Sequence, residues 1–138
     1  MDYNTLATDK TVTTTVNSLK AKGYETYVVD EETQALAKIK ELIPQGASVM
    51  NGSSMTLEQI GFVVLLNSGN HGWNNLHGAI VDEKDSARQS QLRKHSLLSD
   101  YYVGSMHALI ENGEFLIASN TGSQLPHVVY SSPNLIFV

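Results

Sequence analysis

The stretch Asn51-Gly52-Ser53-Ser54-Met55-Thr56-Leu57 brings a glycine and three hydroxyls to the start of an apolar repeat. The short β-type run Ala47-Ser48-Val49-Met50 precedes it, and Met55, Leu57, Ile60 and Val64 recur after it at helical spacing. The segment therefore reads as a strand-to-helix junction. In an open α/β sheet, ligands bind at such junctions, outside the carboxyl ends of the strands. Unpaired N–H groups in the first turn of a helix attract an anion, Gly52 lets the backbone come close, and the hydroxyls of Ser53, Ser54 and Thr56 can donate. The same residue types also serve simply as helix caps. Neither the phosphate-loop lysine pattern nor the full dinucleotide fingerprint is present.

Two further segments carry chemistry-bearing side chains. Ser119-Asn120-Thr121-Gly122-Ser123-Gln124 is a polar loop after an apolar run, with Gly122 allowing a tight turn. Asn120, Thr121, Gly122 and Ser123 are thus candidates to close over a ligand held by the first loop, the alternative being an ordinary connection. Glu111-Asn112-Gly113 places a carboxylate at a hairpin tip. Buried beside a ligand, Glu111 would serve as nucleophile or base. The plainer reading makes Asn112-Gly113 the turn and Glu111 and Glu114 its solvated flanks. The five histidines (His71, His77, His95, His107 and His127) show neither of the spacings that put two metal ligands on one helix face, so no metal site is assigned. Arg88, Arg93 and Lys94 read as a solvated helix face, or one of them completes an anion pocket.

The elements that must position these residues follow from periodicity and punctuation. Val12, Val16 and Leu19 predict a helix stopped by Gly23, and Tyr24 to Val29 is β-branched and aromatic, predicting a strand. Asp30 is the expected cap of a second helix with Ala35, Leu36, Ile39, Leu42 and Ile43 on one face, ended by Pro44 and Gly46. After the glycine loop comes one helix, then a loop from Asn67 to Leu76 and a strand at Gly78 to Asp82. A polar helix from Asp85 to Ser99 and a strand at Tyr101 to Val103 follow. Met106 to Ile110 and Phe115 to Ala118 form a hairpin around Asn112-Gly113, Leu125 to Tyr130 is a helical turn opened by Pro126, and Asn134 to Val138 is a final strand. Strands alternating with helices predict an α/β fold, a Rossmann-like, mostly parallel sheet flanked by helices with a C-terminal hairpin.

Composition bounds the function. The 138 residues hold no cysteine, which excludes a disulfide scaffold, a thiolate zinc site, a Cys nucleophile and an iron–sulfur cluster held by this sequence. A net charge of −5 argues against binding nucleic acid through its phosphates. The longest apolar run, Ile60 to Leu66, falls well short of the ~20 residues that span a bilayer. Met1-Asp2-Tyr3-Asn4 lacks the basic and apolar regions of a signal peptide, so the expected location is cytoplasmic.

Several blocks together resemble a known family. Gly52 to Gly61 resembles the Gly-Ser-x-Thr-Leu-x-x-Ile-Gly signature of the lactate-utilisation (LUD, LutC/YkgG-like) domain. Ser99-Asp100-Tyr101-Tyr102-Val103-Gly104-Ser105-Met106-His107-Ala108 resembles its Ala-Asp-x-x-x-x-Ser-x-x-Ala stretch, Glu111-Asn112-Gly113-Glu114 its Glu-Asp-Gly-Glu hairpin, and Gly122-Ser123 its later Gly-rich loop. Asn51 stands where many members have Gly, and Leu109-Ile110 replaces a pair with a hydroxyl. The resemblance implies a NagB/RpiA/CoA-transferase-like fold and a part in oxidising lactate to pyruvate alongside iron–sulfur partner proteins. Glu111-Asn112-Gly113 also resembles the Ser-Glu-Asn-Gly motif of CoA-transferases, whose Glu is the nucleophile, with Ile110 in place of the Ser.

Three functions are consistent with these features: an accessory protein that binds a small carboxylate or phosphorylated ligand and has no cofactor of its own; a stand-alone transferase or sugar-phosphate isomerase using Glu111; and a non-catalytic assembly module. Residues 1–138 are expected to form one domain. Related domains carry a further strand end and helix after Asn134 to Val138, so the expectation is a domain lacking that C-terminal cap. A sheet face near Val138 then stands open or is covered by another copy in a homo-oligomer.

Overall fold

Val49 and Val103, each fully buried and apolar, form the centre of a parallel sheet. The computed structural model describes residues 5–138; Met1-Asp2-Tyr3-Asn4, the segment that bears on a signal peptide, lies outside the described residues. The chain divides into two compact units, one formed by Val29–Ser105 with Ser119–Val138, the other by the stretch up to Val28 with Met106–Ala118.

In the larger unit, β1 (Ser48–Asn51), β2 (Asn74–Asn75), β3 (Tyr101–Gly104) and β6 (Asn134–Phe137) form one sheet in the order β2-β1-β3-β6, every pair parallel. Val49 pairs with Tyr101, and Asn51 with Val103. Between these strands run α2 (Glu32–Leu42) before the sheet, α3 (Met55–Gln59) and α4 (Phe62–Ser68) after β1, and α5 (Leu76–Asp82) and α6 (Ser86–His95) after β2. Ile39 and Ile43 from α2 and its end, Leu57 from α3, Phe62 and Leu66 from α4, and Trp73 pack with Val49 and Val103 in one core. Each such side chain, when fully buried, contributes roughly 1.5–3 kcal/mol relative to exposure. Tyr102 pairs with Met50 and faces the other side of the sheet, where its ring stacks on His127 of the turn 127–131.

The smaller unit holds α1 (Asp9–Ala21) and the hairpin of β4 (Ala108–Leu109) and β5 (Phe115–Leu116). The threonine-rich α1 is capped by Thr8, whose Oγ1 accepts from Thr11 N–H, and the hydroxyls of Thr14 and Thr15 find their partners by donating back to the Lys10 and Thr11 carbonyls at 2.9 and 2.8 Å. Gly23, at φ +89°, ends it as expected.

The α/β class, the parallel sheet and the hairpin agree with expectation; several elements differ. Tyr24 to Val29 is not a strand: no sheet edge receives it, and Tyr24 instead packs edge-on against Phe115. Gly78 to Asp82 is helical, inside α5, because Asn75 Oδ1 accepts from Gly78 N–H and starts a helix there. The strand of this region is the polar pair Asn74-Asn75, within the expected loop. The cap of α2 is Glu31 rather than Asp30; Gln34 Oε1 accepts from the backbone N–H groups of Glu31 and Asp30, at 3.2 and 2.9 Å. The single helix expected from Met55 to Val64 is broken where Gly61 takes φ +79°. The polar helix ends at His95, with a tighter turn over Ser96–Leu98.

Candidate functional site

The order β2-β1-β3-β6 creates a switch point. The chain leaves β1 toward one side of the sheet to reach β2, then crosses back to place β3 on the other side. Connections diverge there, at the carboxyl ends of β1 and β3, and it is in the crevice formed at such a divergence that open α/β sheets bind their ligands. Asn51-Gly52-Ser53-Ser54 leaves β1 at this point and Gly104-Ser105 leaves β3.

The Ser54 and Ser105 hydroxyls hydrogen-bond to each other across the crevice. Ser54 Oγ also accepts from Leu57 N–H at 3.1 Å, so it caps α3. Ser53 is exposed and Thr56 half-buried on the first turn of this five-residue helix. Gly52 N–H donates to Val103 C=O at 3.2 Å, continuing the ladder past the end of β1. Asn51 is 5% exposed; its Nδ2 donates to Gly52 C=O at 3.2 Å, and its buried Oδ1 has no partner among the described residues.

The second loop reaches the first through Tyr102. The Tyr102 hydroxyl donates to Gln124 Oε1 at 3.1 Å, and both atoms crowd the Gly52 Cα. The loop shapes itself: Gly122 N–H donates to Ser119 Oγ at 3.0 Å, Thr121 Oγ1 donates to Ser123 Oγ at 2.9 Å, and Gly122 takes φ +74°. Asn120, Thr121 and Ser123 are exposed and Gly122 is half-buried. Burial raises the Tyr102 hydroxyl to about 12, so the phenol stays protonated and remains a donor at neutral pH. Burial also lowers His127, whose Nδ1 meets Ser132 Oγ at 2.8 Å.

Glu111 lies in the other unit, exposed beside the hairpin turn, where its Oε1 accepts from Thr11 Oγ1 at 3.4 Å. His71 is structural. Its Nδ1 accepts from Trp73 N–H at 3.0 Å while Nε2 bonds Leu66 C=O at 3.1 Å, which pins the loop before β2. Among the described residues, no three His, Asp or Glu side chains converge as a metal set, and no helix is long and apolar enough to cross a membrane.

Sequence reasoning singled out the Ser119–Gln124 loop but missed Tyr102, Ser105 and His127 as neighbours of this junction. Ser105 was visible within the Ser99 to Ala108 block and Gln124 at the end of its loop, whereas Tyr102 and His127 read only as core and helical-turn residues. No curated protein and no solved structure gives a significant match to the chain. Compared with known families, residues 12–138 match the LUD domain, across both loops and every strand of the sheet. The chain therefore belongs to the LUD domain family and is a lactate-utilisation-type protein.

Proposed function

We propose that this chain is an accessory subunit of L-lactate oxidation to pyruvate, binding the small carboxylate in the β1–β3 crevice. The observation that supports the reading most is the meeting of the two polar loops at Gly52, Tyr102 and Gln124, over the carboxyl ends of adjacent parallel strands. In this reading Gly52, whose N–H is spent on Val103 C=O, lets Tyr102 and Gln124 close on the loop, Ser53 and Thr56 supply hydroxyl donors, and Asn120, Thr121, Gly122 and Ser123 form the opposite wall. Ser54 shapes the crevice through its cap rather than by a free hydroxyl. The unpaired Asn51 Oδ1 is an acceptor, so it would take a hydrogen bond from the 2-hydroxyl of the acid and not from its carboxylate.

Oxidising a 2-hydroxy acid releases two electrons and two protons, and this cysteine-free sequence offers no thiolates to hold an iron–sulfur relay. The electrons accordingly pass to iron–sulfur partner proteins, and the chain's own part is to bind and orient. A thermal-shift and calorimetric panel of L-lactate, pyruvate, acyl-CoA and sugar phosphates tests this. A ligand at about 100 times its Kd adds ~2.7 kcal/mol of stability. L-Lactate or pyruvate should raise the melting temperature; a flat panel would overturn the reading and leave an assembly role.

A further inference from the structure

Gly52 has no room for a side chain: a Cβ there would lie 2.5 Å from Tyr102 Oη and 3.2 Å from Gln124 Oε1. The phenol thus rests directly against the backbone of the glycine loop. Its ring is 1% exposed and stacks on His127 with centroids 4.6 Å apart and planes 19° from parallel. His127 is itself buried and meets Ser132 Oγ at 2.8 Å, and Ser132 bonds Ser99 at 3.2 Å, at the amino ends of β6 and β3. A buried column therefore runs from the foot of the sheet to the crevice, and its last atom is the hydroxyl that donates to Gln124 Oε1.

That hydroxyl has one proton to give, and it gives it to the final residue of the Ser119–Gln124 loop. We propose that Tyr102 is a positioning residue of the crevice: through Gln124 it holds the second loop at a set distance from the glycine loop. The ligand meets the loop, and Tyr102 acts through it. The inference rests on the reading of this crevice as a small-carboxylate site.

Two arms test it on the full chain. Tyr102→Phe keeps the ring and its stack but removes the hydroxyl, and Gln124→Met removes the acceptor at similar size. In hydrogen exchange, Ser119–Gln124 amides in Tyr102→Phe should lose protection while those of Val49 and Val103 keep theirs; unchanged loop protection overturns the inference. In calorimetric titration with L-lactate, each single variant should weaken binding by up to about tenfold, the worth of one hydrogen bond, and the double variant no further. Wild-type binding with an unchanged Kd in Tyr102→Phe, or additive losses in the double variant, overturns it. Failure of the wild-type chain to bind L-lactate would instead refute the carboxylate reading, and the exchange arm would still decide the role of Tyr102.

Discussion

Ser54 and Ser105 join the carboxyl ends of β1 and β3 through their hydroxyls, and the Ser54 oxygen at the same time accepts from Leu57 N–H. One side chain thereby ties the end of β1 to that of β3 and starts α3. Ser54→Ala removes both bonds, whereas Ser105→Ala leaves the cap intact. Losing an N-cap costs about 0.5–2 kcal/mol, so urea unfolding should show the larger loss for Ser54→Ala. The double variant should lie within about 0.5 kcal/mol of Ser54→Ala, because the second deletion removes a bond already broken. Additive losses would show that the two hydroxyls act separately.

At the opposite end of the strands, Asp100 binds the sheet together. Its Oδ2 accepts from Ser48 N–H at 2.8 Å and from Ser48 Oγ at 2.7 Å, while its carbonyl accepts from Asn134 Nδ2 at 2.9 Å. The backbone and side-chain bonds from Ser48 hold the carboxyl below its ordinary 3.8. A carboxylate with a depressed folded value stabilises above the ordinary value and loses that contribution as pH falls through the lowered one. Asp100→Asn should thus be less stable than wild type at neutral pH, with the gap closing in strong acid. Paired urea titrations across that range check it; a gap that persists in acid would assign the loss to packing.

Much of this architecture was readable in advance, and the misreadings have physical causes. Asn112-Gly113 marked its turn correctly, and the glycine loop was placed between a strand and a helix as found. Tyr24 to Val29 has every local mark of a strand, but strand propensity reports fitness for a pleated surface, and no neighbouring strand supplies one here. Gly78 to Asp82 is too short for periodicity to separate strand from helix, and the deciding contact, Asn75 to Gly78, looks like nothing but polar loop in sequence. The Tyr102–Gln124 contact spans 22 positions and depends on strand order, which no local pattern encodes.

His127 gives the fold a second pH dependence, of the same sign as that of Asp100 but at higher pH. Burial disfavours its charged form and lowers it below 6.5. The unfolded chain then binds the proton first, so stability is full above the ordinary value and falls as pH drops from it toward the lowered one. His77, lowered by burial and by Arg93, adds to the same slope. The melting temperature should therefore decline as pH falls below about 6.5. The His127 imidazole resonance, followed by NMR, should titrate below that value. His127→Phe should flatten the slope, and His77→Gln in the same background should flatten it further; an unchanged slope in both would refute the assignment.

Two glycines of the smaller unit separate backbone strain from crowding. Gly23 ends α1 at φ +89° with nothing within 4 Å of an added Cβ. Gly113 makes the hairpin turn at φ +80°, and its Cβ would meet Ser18 C at 3.2 Å and Leu19 N at 3.3 Å, both backbone atoms of α1. The left-handed conformation alone costs an alanine roughly 1–2 kcal/mol. Gly23→Ala should lose about that amount in urea unfolding. Gly113→Ala should lose more, because helix backbone cannot turn aside as a flexible side chain can, and Lys22 Cε stands 3.1 Å away on a third side. Equal losses for the two variants would mean that the turn does not press on α1.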